Sequence, residues 1–123
     1  MDIEQTDYCN WYIEVQGLIS VLNNITNQYN ISFDQFLLLE ELIVNPGASP
    51  TDLADTFKVS TPAVSRKLKA LQSKSMIVKS RNDLKDQRLV HIKVTNQGRQ
   101  IYNELRRKVD DFHEHSSNNI HSR

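Results

Sequence analysis

Between Asp7 and Tyr29, apolar residues recur at Trp11, Val15, Leu18, Leu22, Ile25 and Tyr29. Their steps of four and three follow one side of a helix, with a near-heptad repeat. Polar Asn23, Asn24, Thr26, Asn27 and Gln28 fill the other faces, so the pattern predicts an amphipathic helix over 7–30. A second helix is predicted from about Ser32 to Asn45, where the run Leu37-Leu38-Leu39 implies burial on more than one side and Asn45-Pro46-Gly47 supplies the stop. Ser49 then stands as a cap with Pro50 at the first helical position and Asp52 in the first turn, which favours a short helix to about Phe57 burying Leu53, Ala54 and Phe57. Lys58-Val59-Ser60 is a brief connection, and Ser60 or Thr61 caps a further helix that begins at Thr61-Pro62 and runs to about Lys74.

Past Ser75 the period changes. Met76-Ile77-Val78 reads as a strand, and Val90, Ile92 and Val94 alternate with Leu89, His91 and Lys93 as its partner. The polar segment Asn82 to Gln87 is the loop between them. Thr95 caps a last helix whose stripe is Ile101, Leu105, Val109 and Phe112, and from Ser116 the polar sequence is expected to fray. The chain is thus expected to be one domain over 1–123, mainly α with a small β-hairpin. Residues 32–95 form a winged helix-turn-helix, flanked by amphipathic helices over 7–30 and 96–118. The two outer stripes need partners, and pairing them between two chains makes a homodimer the expectation.

Zero formal net charge conceals a strong asymmetry. Residues 1–57 contain nine acids and no Lys, Arg or His, whereas residues 58–93 contain ten Lys and Arg against two Asp. A cationic segment of this kind suits a polyanion. With Val64 at zero on a helical wheel advancing ~100° per residue, Leu68 and Leu71 fall on the same side. Pro62, Arg66, Lys69 and Ser73 face away, with Ser65 and Ala70 at the edges. Small groups near the helix start and long cations behind them are the arrangement a recognition helix uses in the major groove. Thr61, Ser65 and Arg66 are assigned to base edges, and Lys67 and Lys69 to phosphates. In the hairpin, Arg81, Lys85 and Arg88 are placed to meet the minor groove, with Asp86 orienting Arg88.

These residues carry a resemblance. The stretch Ile31–Gly98 is similar to the MarR (multiple antibiotic resistance regulator) family of winged-helix regulators. The residues concerned are Asp34-Gln35-Phe36, Leu53-Ala54, Thr61-Pro62-Ala63-Val64-Ser65-Arg66 and Leu71, then Asp86-Gln87-Arg88 leading to Val94-Thr95 and Gly98. The resemblance implies a homodimeric repressor on a pseudo-palindromic operator in double-stranded DNA, often released by a small molecule or an oxidant. It places base and backbone contacts on Thr61, Pro62, Ser65, Arg66 and Lys69, and a minor-groove contact on Arg88. Ser75 departs from the family, which often has Gly there, and the chain is short for the family after the last helix begins.

Other chemistry is weighed against this. Trp11, Tyr12 and Tyr29 are candidates for a cleft that takes a small aromatic effector, with dimer core as the plainer role for the same aromatics. Cys9 lies near Asp2, Glu4 and Asp7 without a neighbouring cation, so an unreactive thiol is favoured over a redox sensor. His113 and His115 project ~200° apart on a helix, so they do not share a metal ion, and no cofactor is expected. No grouping of nucleophile, base and acid and no Gly-rich phosphate loop points to an enzyme. The acidic start lacks the features of a signal peptide, and no apolar run is long enough for a bilayer, so a cytoplasmic protein without membrane contact is expected. The alternative to a DNA-binding regulator is a winged-helix module for protein contacts, docking through its acidic first half.

Overall fold

A computed structural model of the chain describes residues 7–81 and 90–121. Five helices and a hairpin follow in the order α1 (Tyr8–Thr26), α2 (Phe33–Val44), α3 (Pro50–Phe57), α4 (Thr61–Ser73), β1 (Ile77–Arg81), β2 (Val90–Val94) and α5 (Asn96–His121). The helix starts are fixed by side chains that satisfy otherwise orphaned amides. At α2, the Ser32 hydroxyl accepts from the Gln35 amide while the Gln35 side chain accepts from the Ser32 amide. Ser49 and Asp52 repeat this reciprocal arrangement at α3, where Pro50 opens the helix. Ser60, rather than Thr61, caps α4 by accepting from the Ala63 amide at 3.2 Å.

α2 is the central strut, packing against α1, α4, α5 and β2. Its Leu38, Leu39 and Leu42 are buried and Leu37 is half-buried, so the leucine run does face two sides. Leu53 of α3, Val64, Leu68 and Leu71 of α4, Ile77 and Ile92 of the hairpin, and Tyr102 and Leu105 of α5 complete one core. Phe36 stacks on Tyr102 with centroids 5.2 Å apart. The strands are antiparallel with Ile77 opposite Val94 and Lys79 opposite Ile92. Ile77 and Ile92 therefore point inward, while Val78, Ser80, His91 and Lys93 are exposed on the other face.

Two junctions show why particular residues stand where they do. α4 ends in a Schellman motif, in which the Ser75 amide donates to the Gln72 carbonyl and the Met76 amide to the Leu71 carbonyl, both at 3.0 Å. Such a stop needs a left-handed residue, and Ser75 adopts φ 61°. The departure from Gly is accommodated by strain rather than by a different turn. Ser75→Gly should therefore raise stability by about 0.5–1 kcal/mol, the relief of left-handed backbone less the extra unfolded-state entropy of glycine. A lower urea midpoint in that variant would contradict this account.

The second junction is the start of α5. Thr95 accepts from the Gly98 amide at 2.9 Å and donates its hydroxyl to the Ser75 carbonyl at 2.6 Å. The helix then runs to His121, past Ser116 where fraying is expected from the sequence. Ser, Asn and His weaken a helix without breaking it, and no Gly or Pro follows Gly98.

Candidate nucleic-acid interface

α3 and α4, joined through Lys58-Val59-Ser60, form the helix-turn-helix. The turn is sharpened by Lys58 in the left-handed region at φ 56°, where the Val59 amide reaches back to the Ala54 carbonyl at 3.1 Å. α4 is pressed onto the core through Val64, Leu68 and Leu71, each at most 1% exposed. Its opposite side is thereby fixed toward solvent. Thr61, Pro62, Ser65, Arg66, Lys69 and Ser73 are all exposed there. The helix start thus presents a hydroxyl-bearing, low-relief surface with the positive end of the helix dipole, and the cations stand one and two turns behind it.

Lys67 is placed differently. Its ammonium lies 3.4 Å from the Asp34 carboxylate at the start of α2. Lys74, just beyond α4, donates to the Asn30 carbonyl. Arg81 closes β1 opposite Val90. Lys85, Asp86 and Arg88, the expected wing residues, lie outside the described residues.

A trough of about 800 Å³ opens between α1, α2 and α5, with Trp11, Leu18, Phe33, Leu37, Phe112 and Glu40 among its walls. Of the three aromatics assigned to an effector cleft, only Trp11 borders it. Tyr12 follows Trp11 by one residue and so turns ~100° away, where it is 59% exposed. Tyr29 sits in the turn after α1 and gives its hydroxyl to Glu104 of α5, in a separate shallow recess. That hydrogen bond, followed by burial, raises the Tyr29 phenol above its ordinary value.

Beside the trough runs a polar chain that periodicity did not reveal. Tyr102 donates to Glu40 at 2.7 Å, Arg106 donates to the Tyr102 oxygen at 3.3 Å, and Arg106 pairs with Asp110 at 3.5 Å. Burial, then the hydrogen bond to Glu40, pushes the Tyr102 phenol up. The neutral phenol is therefore favoured by folding, and its contribution is complete below the ordinary tyrosine value of about 10 and lost as pH rises through the raised one. Urea unfolding between about pH 9 and pH 11 should show a shallower alkaline loss of stability for Tyr102→Phe than for the parent. Equal slopes would remove Tyr102 from that window.

Cys9 is a free, exposed thiol. Among the described residues, no group of three or more His, Cys, Asp or Glu side chains is placed to hold a metal ion. His113 is exposed, and the His115 ring contacts the Asp111 backbone oxygen at 2.7 Å. No described helix is long and apolar enough to cross a membrane.

A helix-turn-helix, a following hairpin and two long outer helices define the winged-helix fold of MarR-type regulators. A mutant of MarR from E. coli, solved in complex with operator DNA, superposes with a TM-score of 0.77 at 24% identity over 97% of this chain and 87% of that one. The transcriptional regulator BldR from Sulfolobus solfataricus gives a TM-score of 0.74 at 25% identity, covering 92% of this chain and 81% of that one. Residues 20–105 match the SarA/Rot family of transcriptional regulators, and the chain belongs to that family. It is also 31% identical over 105 residues to an uncharacterized HTH-type transcriptional regulator, YwaE of Bacillus subtilis, a match that spans 85% of this chain and 59% of that protein. Against YwaE and the HTH-type regulator FarR of Neisseria gonorrhoeae, the chain spans only 59% and 65% of the relatives' lengths.

Proposed function

We propose that the protein is a homodimeric, sequence-specific DNA-binding regulator, acting as a repressor on a pseudo-palindromic site. The observation that carries this reading is the outer face of α4. Seated by three buried side chains, this helix leaves Thr61, Ser65, Arg66 and Lys69 exposed, and we assign the first three to a groove and Lys69 to the backbone. Thr61 and Ser65 tolerate several bases, whereas Arg66 can pair bidentately with guanine O6 and N7. The segment 81–88 follows α4 along the chain, and its sequence supports assigning Arg81, Lys85 and Arg88 to the flanking minor groove.

The dimer is supported by α1. Tyr8, Trp11, Tyr12, Ile13, Leu18 and Ile19 are each at least 45% exposed, and exposed large apolar side chains gathered on one helix suit a protein contact. The trough beside Trp11 has the volume of a small-molecule site, and its aromatic walls suit an aromatic effector.

A salt titration of binding to random-sequence duplex, with mass determination in solution, tests the proposal. A dimer whose affinity falls by several log units per decade of salt is the expected result. A monomer without duplex affinity at low salt would instead favour a protein-contact module, the reading that the cation-free first 57 residues support.

A further inference from the structure

The cations around α4 divide into two groups. Arg66 and Lys69 stand on the exposed outer face. Lys67 and Lys74 turn inward to the junction of α1 and α2, the first onto Asp34 and the second onto the Asn30 carbonyl. That junction is well braced. The Asn23 side chain accepts from the Phe33 amide at 2.9 Å, the Thr26 side chain is fully buried with its hydroxyl on the Asn23 carbonyl, and Ser32 and Gln35 cap α2 reciprocally. Asn30 itself holds φ 62°, a conformation asparagine tolerates, which turns its carbonyl out of the helical run. On the far side of the same junction, Tyr29 donates to Glu104 and Lys108 donates to Gln28, so it also grips α5.

We propose that Lys67 and Lys74 are positioning residues, not phosphate contacts: they tie the recognition helix to the Gln28–Asp34 elbow, and this elbow joins the aim of α4 to the outer helix α5. The inference deepens the DNA-binding reading and rests on it for its consequence, since the pitch of α4 sets how its first turns enter a groove. An exposed ion pair such as Lys67–Asp34 adds little stability. Two such ties, one mid-helix and one just past its end, nonetheless add directional constraints on rotation about the helix axis to the apolar seat of Val64, Leu68 and Leu71. They also remove two charges from the count available to DNA.

The salt dependence of binding separates positioning from phosphate contact. Each phosphate-contacting cation adds about 0.9 to the slope of log affinity against log salt. On a duplex selected from a random pool, Lys69→Met should lower the slope by about that amount. Lys67→Met and Lys74→Met should leave the slope unchanged while weakening binding several-fold. Asp34→Asn should weaken binding like Lys67→Met, and the double variant should be no worse than either single one. A slope reduced by about one unit in Lys67→Met or Lys74→Met, or tighter binding by Asp34→Asn, would overturn the proposal.

Amide hydrogen exchange supplies a readout that needs no DNA. Lys74→Met, and Tyr29→Phe although it touches no residue of α4, should both speed exchange in the last turns of α4. Unchanged exchange in both refutes the elbow's role. If no duplex is selected, the DNA-binding reading fails, and the exchange data still decide whether the elbow holds α4.

Discussion

Gly98→Ala should lower the stability of the fold by about 3 kcal/mol or more in urea unfolding, although alanine is the better helix former by about 1 kcal/mol. Gly98 is buried in the first turn of α5 against the end of the α4–β1 turn. A methyl group at its Cα would stand 2.2 Å from the Met76 carbonyl oxygen and 2.9 Å from the carbonyl carbon. Both are backbone atoms, so no rotamer change relieves the overlap. Nor can the strand withdraw without cost. The Met76 carbonyl accepts from the Thr95 amide at 3.0 Å, and Thr95 both caps α5 and holds the Ser75 carbonyl. Moving α5 away breaks this cluster and separates the hairpin from the helix beside it. Because propensity and packing pull in opposite directions, the sign of the effect is diagnostic. A variant within about 0.5 kcal/mol of the parent, or more stable, would show that α5 does not approach Met76 so closely.

Gly98 also illustrates what is legible in the chain and what is not. The caps and periods that place α2, α3 and α4 are local, written within four residues of each helix start. Ser49-Pro50 and Asp52, for example, specify an α3 start that the structure reproduces. Gly98 stands out in the sequence as part of a pattern shared with MarR-type regulators, but its physical reason is the Met76 carbonyl, brought close only by the tertiary fold. The inward turn of Lys67 and Lys74 is likewise non-local, since their partners lie 33 and 44 positions earlier. A helical wheel places Lys67 on the flank between core and solvent; whether it meets a phosphate or Asp34 depends on where α2 begins.

Stripe counting was incomplete on the outer helices. Steps of four and three select Ile101 and Leu105 on α5, and Leu105 is fully buried with Ile101 packed against the core, but they pass over Tyr102, which is also buried, stacked on Phe36 and bonded to Glu40. On α1 the chosen stripe includes Val15, Leu22 and Ile25, which do face the core side. Trp11 and Leu18 of the same stripe are exposed, and Tyr8, Tyr12 and Ile19 extend it along its flank into an apolar face wider than the stripe predicts. An apolar face this wide is only partly covered within one protomer, where Val15, Leu22 and Ile25 are half-buried and the rest of it is exposed.

Arg66→Ala should weaken binding to the selected duplex by about 1–3 kcal/mol and relax base preference at one position of each half-site. The fold should be untouched, because Arg66 is exposed and its neighbours Val64 and Leu68 carry the burial of α4. Thermal unfolding of the variant should therefore match the parent within a degree or two. The form of the loss identifies the role. If Arg66 reads a guanine, the variant loses most affinity on the preferred sequence and little on duplexes in which that base pair is exchanged. If Arg66 only neutralises phosphate, affinity falls evenly over all sequences and the salt slope drops by about 0.9. Arg66→Lys separates the two further, since lysine keeps the charge but lacks the planar fork that meets O6 and N7 together. Lysine should restore the salt slope in either case and restore base preference only if charge alone sets it. A variant that binds every duplex as the parent does would take Arg66, and with it the outer face of α4, out of the recognition surface.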